Sequence, residues 1–293
     1  MIPILNIEQF DKEINSKDVY SNELAVHLRK NSKFVHSAHR HDFFLCVVFS
    51  AGTGIHEIDF NHYAIQPGCV FFLKPGQTHL WKFESAPEGY IFFHTKEFFE
   101  YGFSNTEITQ FPFYYSNENP PNLQLTLDEL ALIKSRFKEI NLEYNTSATY
   151  KEQKLCSLIN LAYIDLARLY TNFESYTIAG STTYLKTLRV LETLIQEFYR
   201  SEKSVAFYAD KLNITTKHLN RITNYSLDKT PLELINERII LEAKRLLVHS
   251  EDSLMEISDF LGFNDYAYFS RVFKLKTKSS PSDFRNHYKK RTI

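Results

Sequence analysis

The C-terminal part of this 293-residue chain repeats itself at an offset of about fifty residues, and that repeat limits the available folds more than any other feature. Asp210-Lys-Leu212 returns as Asp259-Phe-Leu261, Leu219-Asn-Arg221 as Phe269-Ser-Arg271, and Thr230-Pro231-Leu-Glu233 as Ser280-Pro281-Ser-Asp283. The offset slips from 49 to 50 after the first match, so the second copy carries one extra residue in its turn. Each copy reads as a short helix, a tight turn and a second helix. The apolar faces are Ala209, Leu212, Ile214, Leu219 and Ile222, then Ile257, Leu261, Phe263, Phe269 and Phe273. Faces this small on short helices are covered only by crosswise packing, the helix-turn-helix arrangement.

Helix starts are predicted at Ser181 or Thr182, Ser204, Thr215, Thr230, Ser253, Asn264 and Ser280, all good N-caps. Thr230-Pro231-x-Glu233 joins a capping box to proline at the first helical position and opens a helix to about residue 250 that would join the two copies rigidly. Gly262 sits where the supporting helix of the second copy needs a positive φ.

Once the buried faces are assigned, the opposite faces are fixed. The first carries Thr216, Lys217, Asn220, Arg221 and Asn224; the second carries Asp265, Tyr266, Ser270, Arg271 and Lys274. Arginine pairs with guanine O6 and N7 and asparagine with adenine N6 and N7, so these residues are read as base-contacting. The plain alternative is a solvated helix face. A mild charge asymmetry lets the C-terminal part face a polyanion such as double-stranded DNA: residues 1–180 hold 15 Lys+Arg against 21 Asp+Glu, net −6, and residues 181–293 hold 19 against 14, net +5.

The segment from about Leu185 to Tyr288 resembles the DNA-binding domain of AraC/XylS-type transcriptional regulators, through ADKLNITTKHLNR in the first copy and ISDFLGFNDYAYFSRVFK followed by SSPSDFR in the second. The resemblance implies that Lys217, Asn220 and Arg221 reach bases, and that the helix from Asp265 to Lys274 enters an adjacent groove segment. It also implies a homodimer, an activator role and contact with RNA polymerase. The family's pattern has a glycine a few residues after each recognition helix. This chain has Asp228 and Lys278 there, so these loops are expected to be less stable or differently shaped.

Upstream, FFLCVVFS, IHEIDF, CVFFL, HLWKF and YIFFHT are short strands punctuated by Gly52, Gly54, Pro67-Gly68 and Pro75-Gly76, the pattern of an antiparallel sandwich or barrel. His39-Arg-His41, Gly68, Pro75-Gly76-x-x-His79 and Trp81 resemble the cupin-like sensor domain of the same family, which implies a small-molecule effector inside the barrel. His39, His41, Phe43, His79 and Trp81 are the candidate ligand contacts, and Phe72 and Tyr90 are further aromatic candidates; the plain alternative is that the histidines cap strand ends or hydrogen-bond within the wall. A metal-dependent cupin enzyme is the rival reading, since His39, His41 and His79 offer three imidazoles. It lacks the glutamate of the metal motif, because positions 45 and 46 are Leu and Cys. An effector-free regulator whose barrel only dimerises is a third reading.

Two stripes at helical spacing follow: Leu127, Leu130, Ile133, Phe137 and Ile140, then Leu155, Leu158, Ile159, Ala162, Leu166 and Leu169. Both stripes read as cover for the barrel's open side or as a dimer seam, and both roles can hold at once; Leu155, Leu158, Ala162, Leu166 and Leu169 are the candidate seam residues. Eight glycines and no GxGxxG leave little for phosphate loops. Cys46, Cys69 and Cys156 read as reduced core residues. No signal peptide and no apolar run of membrane length are read, which makes the cytoplasm the expected compartment.

The expected fold is therefore α+β in two domains. Residues 1–172 form an antiparallel cupin-like β-barrel with two following helices, 173–183 a linker, and 184–293 an all-α tandem helix-turn-helix. No catalytic residue, metal or cofactor is expected, and no membrane partner.

Overall fold

The computed structural model describes residues 2–10, 18–32, 37–102, 107–115, 119–171 and 182–289. The chain divides into two compact units, residues 3–176 and 177–293. Most of the expected linker lies outside the described residues; Thr182 and Thr183 already belong to a helix.

In the N-terminal unit β1 (Ile4–Leu5) pairs in parallel with β3 (Arg40–His41), and every other strand pairing is antiparallel. A five-stranded sheet runs β10 (Asn122–Gln124), β7 (Cys69–Leu73), β4 (Phe44–Ala51), β9 (Glu88–His94) and β2 (Val19–Glu23). A three-stranded sheet runs β6 (Asn61–Ile65), β5 (Gly54–Ile58) and β8 (His79–Phe83).

Alternation along the strands divides the large sheet into two working faces. Phe43, Phe49, Phe71 and Phe93 point toward the small sheet, where Phe71 lies 4.6 Å from the His56 ring and Phe49 lies 6.3 Å from Phe83. Phe72, Phe92 and His94 point the other way. Phe72 stacks on Phe113 at 3.9 Å, and Phe92 packs on Phe137 and Tyr163. Phe72 is thus removed from the candidate ligand contacts by one step of register.

That outer face is covered by α2 (Lys96–Gly102), α3 (Pro112–Tyr115), α4 (Leu127–Tyr144) and α5 (Lys151–Thr171), with α1 (Leu24–Lys30) beside β9. The helices α4 and α5 are the two that the stripes predict, tied by Arg136 Nε donating to Asp165 at 3.0 Å. Thr126 caps α4 reciprocally with Glu129. Leu127 falls at the first helical position and is exposed, so it leaves the predicted stripe, while Ile133, Phe137 and Ile140 are buried.

The seam reading of α5 is corrected by burial. Leu155, Ala162 and Leu166 are fully buried in the core of one protomer, and Leu158 and Leu169 pack partly buried against it. Leu155, Ala162 and Leu166 cover the sheet and are not available to a second subunit, while Leu158 and Leu169 keep part of their surface. Cys46, Cys69 and Cys156 are free and buried.

The C-terminal unit is helical: α6 (Thr182–Phe198), α7 (Val205–Lys211), α8 (Thr216–Leu227), α9 (Pro231–His249), α10 (Leu254–Phe260), α11 (Tyr266–Thr277) and α12 (Pro281–Lys289). Its core contains the predicted apolar residues of both copies, with Leu212 and Ile214 at its margin. On α9, Thr230 and Glu233 form the expected capping box. Further along, buried Glu242 accepts from Arg238 and Arg245 at 3.1 Å each, and Arg238 also donates to Gln196 of α6 at 2.6 Å. The long helix is therefore tied to its neighbour by the Arg238–Gln196 hydrogen bond as well as by apolar packing.

Candidate nucleic-acid interface

The two helix-turn-helix copies are built by the same local bonds. In the first turn Asn213 takes φ 54° and the Ile214 amide donates to Ala209 O at 3.0 Å; in the second, Gly262 takes φ 72° and the Phe263 amide donates to Ser258 O at 3.1 Å. Only then does the extra residue enter. Thr215 caps α8, whereas Asp265 and not Asn264 caps α11, its carboxylate accepting from the Ala267 and Tyr268 amides at 3.0 Å. The one-residue slip of the repeat is this inserted Asn264.

Gly262 has a second constraint besides its φ. A Cβ there would stand 1.9 Å from the Arg200 carbonyl oxygen, because residues 200–203 close over the turn. Lys203 Nζ donates to the Gly262 carbonyl at 2.7 Å and lies 5.0 Å from the Phe263 ring, while the Arg200 guanidinium stacks on Phe260 at 3.8 Å. The connection before α7 is thereby fastened to the second copy, and α9 is not the only link between them.

Each recognition helix ends at one of the two non-glycine positions. Asp228 (φ 52°, ψ 35°) and Lys278 (φ 63°, ψ 7°) both adopt the left-handed conformation, so the loops keep the shape that glycine would give and carry the steric strain of a Cβ.

On α8, Thr216, Lys217, Arg221 and Asn224 are exposed and Asn220 is half-buried. The Asn220 amide donates to Thr216 O at 2.9 Å and the Asn224 amide to Asn220 O at 2.8 Å. Arg221 directs a guanidinium nitrogen at His218 Nδ1, 3.2 Å away. On α11, Arg271 and Lys274 are exposed and Ser270 is half-buried. Tyr266 is not on the open face. It is half-buried against the core with its ring 6.1 Å from Phe269. Tyr268 takes the exposed position instead, 5.8 Å from the Arg271 guanidinium. Sequence reading missed His218 and Tyr268, although both stand three residues before the arginines that it singled out.

In the N-terminal unit the sequence candidates come together around β3, β5 and β8. His39 and His79 exchange backbone hydrogen bonds and their rings lie 4.3 Å apart; His41 and Trp81 lie 5.2 and 5.1 Å from His79. Phe43 stacks on His41 at 4.5 Å and on Phe93 at 4.3 Å, inside the core. His56, which sequence reading missed, joins them through a bond of 3.1 Å between its Nε2 and His79 Nδ1. His39 and His41 donate from Nδ1 to Ser37 O and Phe43 O, which leaves each Nε2 with its lone pair. Burial holds the imidazoles neutral: His41 is pushed down to about 3, and His56 and His79 fall well below the usual histidine value. Among the described residues, the buried His41 Nε2, His56 Nδ1, His79 Nε2 and Trp81 Nε1 have no hydrogen-bond partner. Among the described residues, no three His, Cys, Asp or Glu side chains are placed to hold a metal ion.

A helical unit with two outward donor-rich helices, preceded in the chain by a β unit with polar groups inside it, defines a two-domain regulator that reads DNA. The model of the AraC-like ligand binding domain family matches residues 23–133, and that of a helix-turn-helix domain family matches residues 208–287. The chain belongs to the AraC family of DNA-binding transcription regulators. It is 22% identical over 254 residues to the HTH-type transcriptional activator RhaS of Citrobacter koseri, covering 84% of this chain and 86% of that protein. It is 24% identical to RhaS of Escherichia coli O81 over the same shares. Solved structures similar to it include unsaturated fatty acid-bound ToxT of Vibrio cholerae (15% identity, 92% of this chain and 93% of that one, TM-score 0.42). Another is the C-terminal domain of the response regulator yesN of Fusobacterium nucleatum (22% identity, 34% of this chain and 98% of that one, TM-score 0.33).

Proposed function

We propose that the protein is a cytoplasmic transcription activator that works as a homodimer, reads bases through α8 and α11, and is governed by a small molecule held in its N-terminal unit. Residues 1–172 act as sensor and dimerisation domain, 173–183 as linker and 184–293 as reader. The observation that carries this reading is the doubled helix-turn-helix, whose two turns share the same bonds and whose second helices both turn donors outward. Thr216, Lys217, Asn220, Arg221 and Asn224 contact the first groove segment, and Ser270, Arg271 and Lys274 the second. Asp265 serves as the N-cap of α11 and Tyr266 anchors that helix to the core. Activation is the role that the named relatives support, and contact with RNA polymerase is proposed as its means. No helix among the described residues is long and apolar enough to cross a membrane.

The effector reading rests on the four unpartnered nitrogens. An unmatched buried polar group costs about 1–3 kcal/mol, and a ligand with both hydrogen-bond donors and acceptors would satisfy lone pairs such as His41 Nε2 together with the Trp81 N–H. The test of the whole reading begins with genome-wide recovery of the DNA bound by the full chain. On a duplex so recovered, Arg221→Ala is expected to lower affinity by about 1–3 kcal/mol while affinity for scrambled DNA changes little. Equal loss on both would reduce Arg221 to a phosphate contact.

A further inference from the structure

Both recognition helices place an aromatic ring three residues before an arginine, at positions related by the same offset of fifty: His218 before Arg221 and Tyr268 before Arg271. Residues three apart share a helix face. In each copy the ring and the guanidinium meet, although the chemistry differs. A guanidinium only donates, so His218 Nδ1 accepts from Arg221 at 3.2 Å and the ring proton sits on Nε2. Tyr268 offers its π face to Arg271 at 5.8 Å, a cation–π contact. Each ring is in turn backed by another aromatic. Tyr184 of α6 sets its edge against His218 at 6.1 Å, and Phe263 of the second turn lies 5.9 Å from Tyr268.

We propose that His218 and Tyr268 are positioning residues: each ring holds the arginine one helical turn further along in the place from which it reads a base, and so raises the discrimination between cognate and other DNA. An exposed arginine side chain samples many rotamers, and fixing one before binding removes part of the ordering cost that binding otherwise carries. The core-facing aromatics fix the rings, and the rings fix the arginines. The two pairs act independently, because one depends on an acceptor atom and the other on a π face. This inference rests on the base-reading role of Arg221 and Arg271, and the experiment separates the two.

The measurement is the ratio of affinities of the full chain for a recovered cognate duplex and a scrambled duplex of the same length, by fluorescence anisotropy at one salt concentration. Arg221→Ala and Arg271→Ala are expected to lower the ratio by about five- to 150-fold each. His218→Ala and Tyr268→Ala should lower it about three- to tenfold, with scrambled-DNA affinity unchanged. His218→Asn returns an oxygen acceptor near the place of Nδ1, and Tyr268→Phe keeps the π face, so both should restore most of the ratio. A second alanine exchange at His218 in the Arg221→Ala background should have little further effect. If the arginine variants keep the full ratio, the base-reading role fails. If they lose it while His218→Ala and Tyr268→Ala keep it, only the positioning role fails. If His218→Asn and Tyr268→Phe fall as far as the alanines at unchanged melting temperature, the rings touch DNA themselves and the positioning role is overturned.

Discussion

The two units place their polar chemistry on opposite sides of their surfaces. The reader keeps an apolar core and turns Lys217, Arg221, Arg271 and Lys274 outward. The sensor does the reverse, enclosing His27, His41, His56, His79 and His94 among phenylalanines. Outward groups are available to a polyanion without rearrangement. Enclosed groups report on anything that enters or protonates the interior, and they make the fold that holds them conditional.

The largest expected effect follows from that enclosure. Burial pushes His27 and His41 down to about 3 and His94 to about 4, and lowers His56 and His79 well below the usual value. The unfolded chain takes these protons near pH 6.5, whereas the folded unit takes them far lower. Stability of the sensor is therefore intact above about pH 6.5 and is lost as pH falls toward 4, by at most about 1.4 kcal/mol per imidazole per pH unit. Trp81, the single tryptophan, lies inside the cluster and reports on this unit alone. Its fluorescence transition should come at a higher pH than the last loss of helical signal, because the reader's helices should outlast those of the sensor. Coincident transitions would erase the contrast between the units.

A smaller effect belongs to the reader. Glu242→Ala leaves the Arg245 charge buried without this carboxylate partner and should cost about 3 kcal/mol of reader stability, with the Trp81 signal unmoved. Smaller again, Asp228→Gly and Lys278→Gly relieve left-handed strain and should each stabilise the reader by up to about 1 kcal/mol. Chemical denaturation followed by circular dichroism measures both. Destabilisation by the glycine exchanges would mean that the side chains make contacts that outweigh the strain.

The contrast also explains what the sequence disclosed. In the reader, caps, turns and apolar spacing lie close together in the chain, so a one-residue slip was visible and only its site, Asn264 before the Asp265 cap, was misplaced. Tyr266 stands three residues before buried Phe269 and so shares its face, whereas Tyr268 stands one residue before it and points away; spacing from Phe269 separates the two. In the sensor the information is non-local. The hairpin between β5 and β6 turns on Asp59 and Phe60, both at positive φ (47° and 71°), where the usual glycine or asparagine signal is missing. The Thr78 amide holds that turn by donating to the Asp59 carboxylate at 3.0 Å. His56 joined the cluster only once β5 and β8 paired, bringing it opposite Trp81. The α5 stripe has the spacing of a seam and of a core alike, and only the sheet beneath it decides between them.

The central claim is that one chain carries two readers held at a fixed spacing by α9 and by the tie of residues 200–203 to the second turn. Two such helices enter successive major-groove faces about 34 Å apart. The direct measurement is footprinting and affinity on a recovered site, before and after five base pairs are inserted between the two patches protected by one subunit. The account predicts protection of two patches one helical turn apart and loss of most of the specific affinity on insertion, because the second patch then faces the opposite side of the duplex. Unchanged affinity with both patches still protected would contradict it.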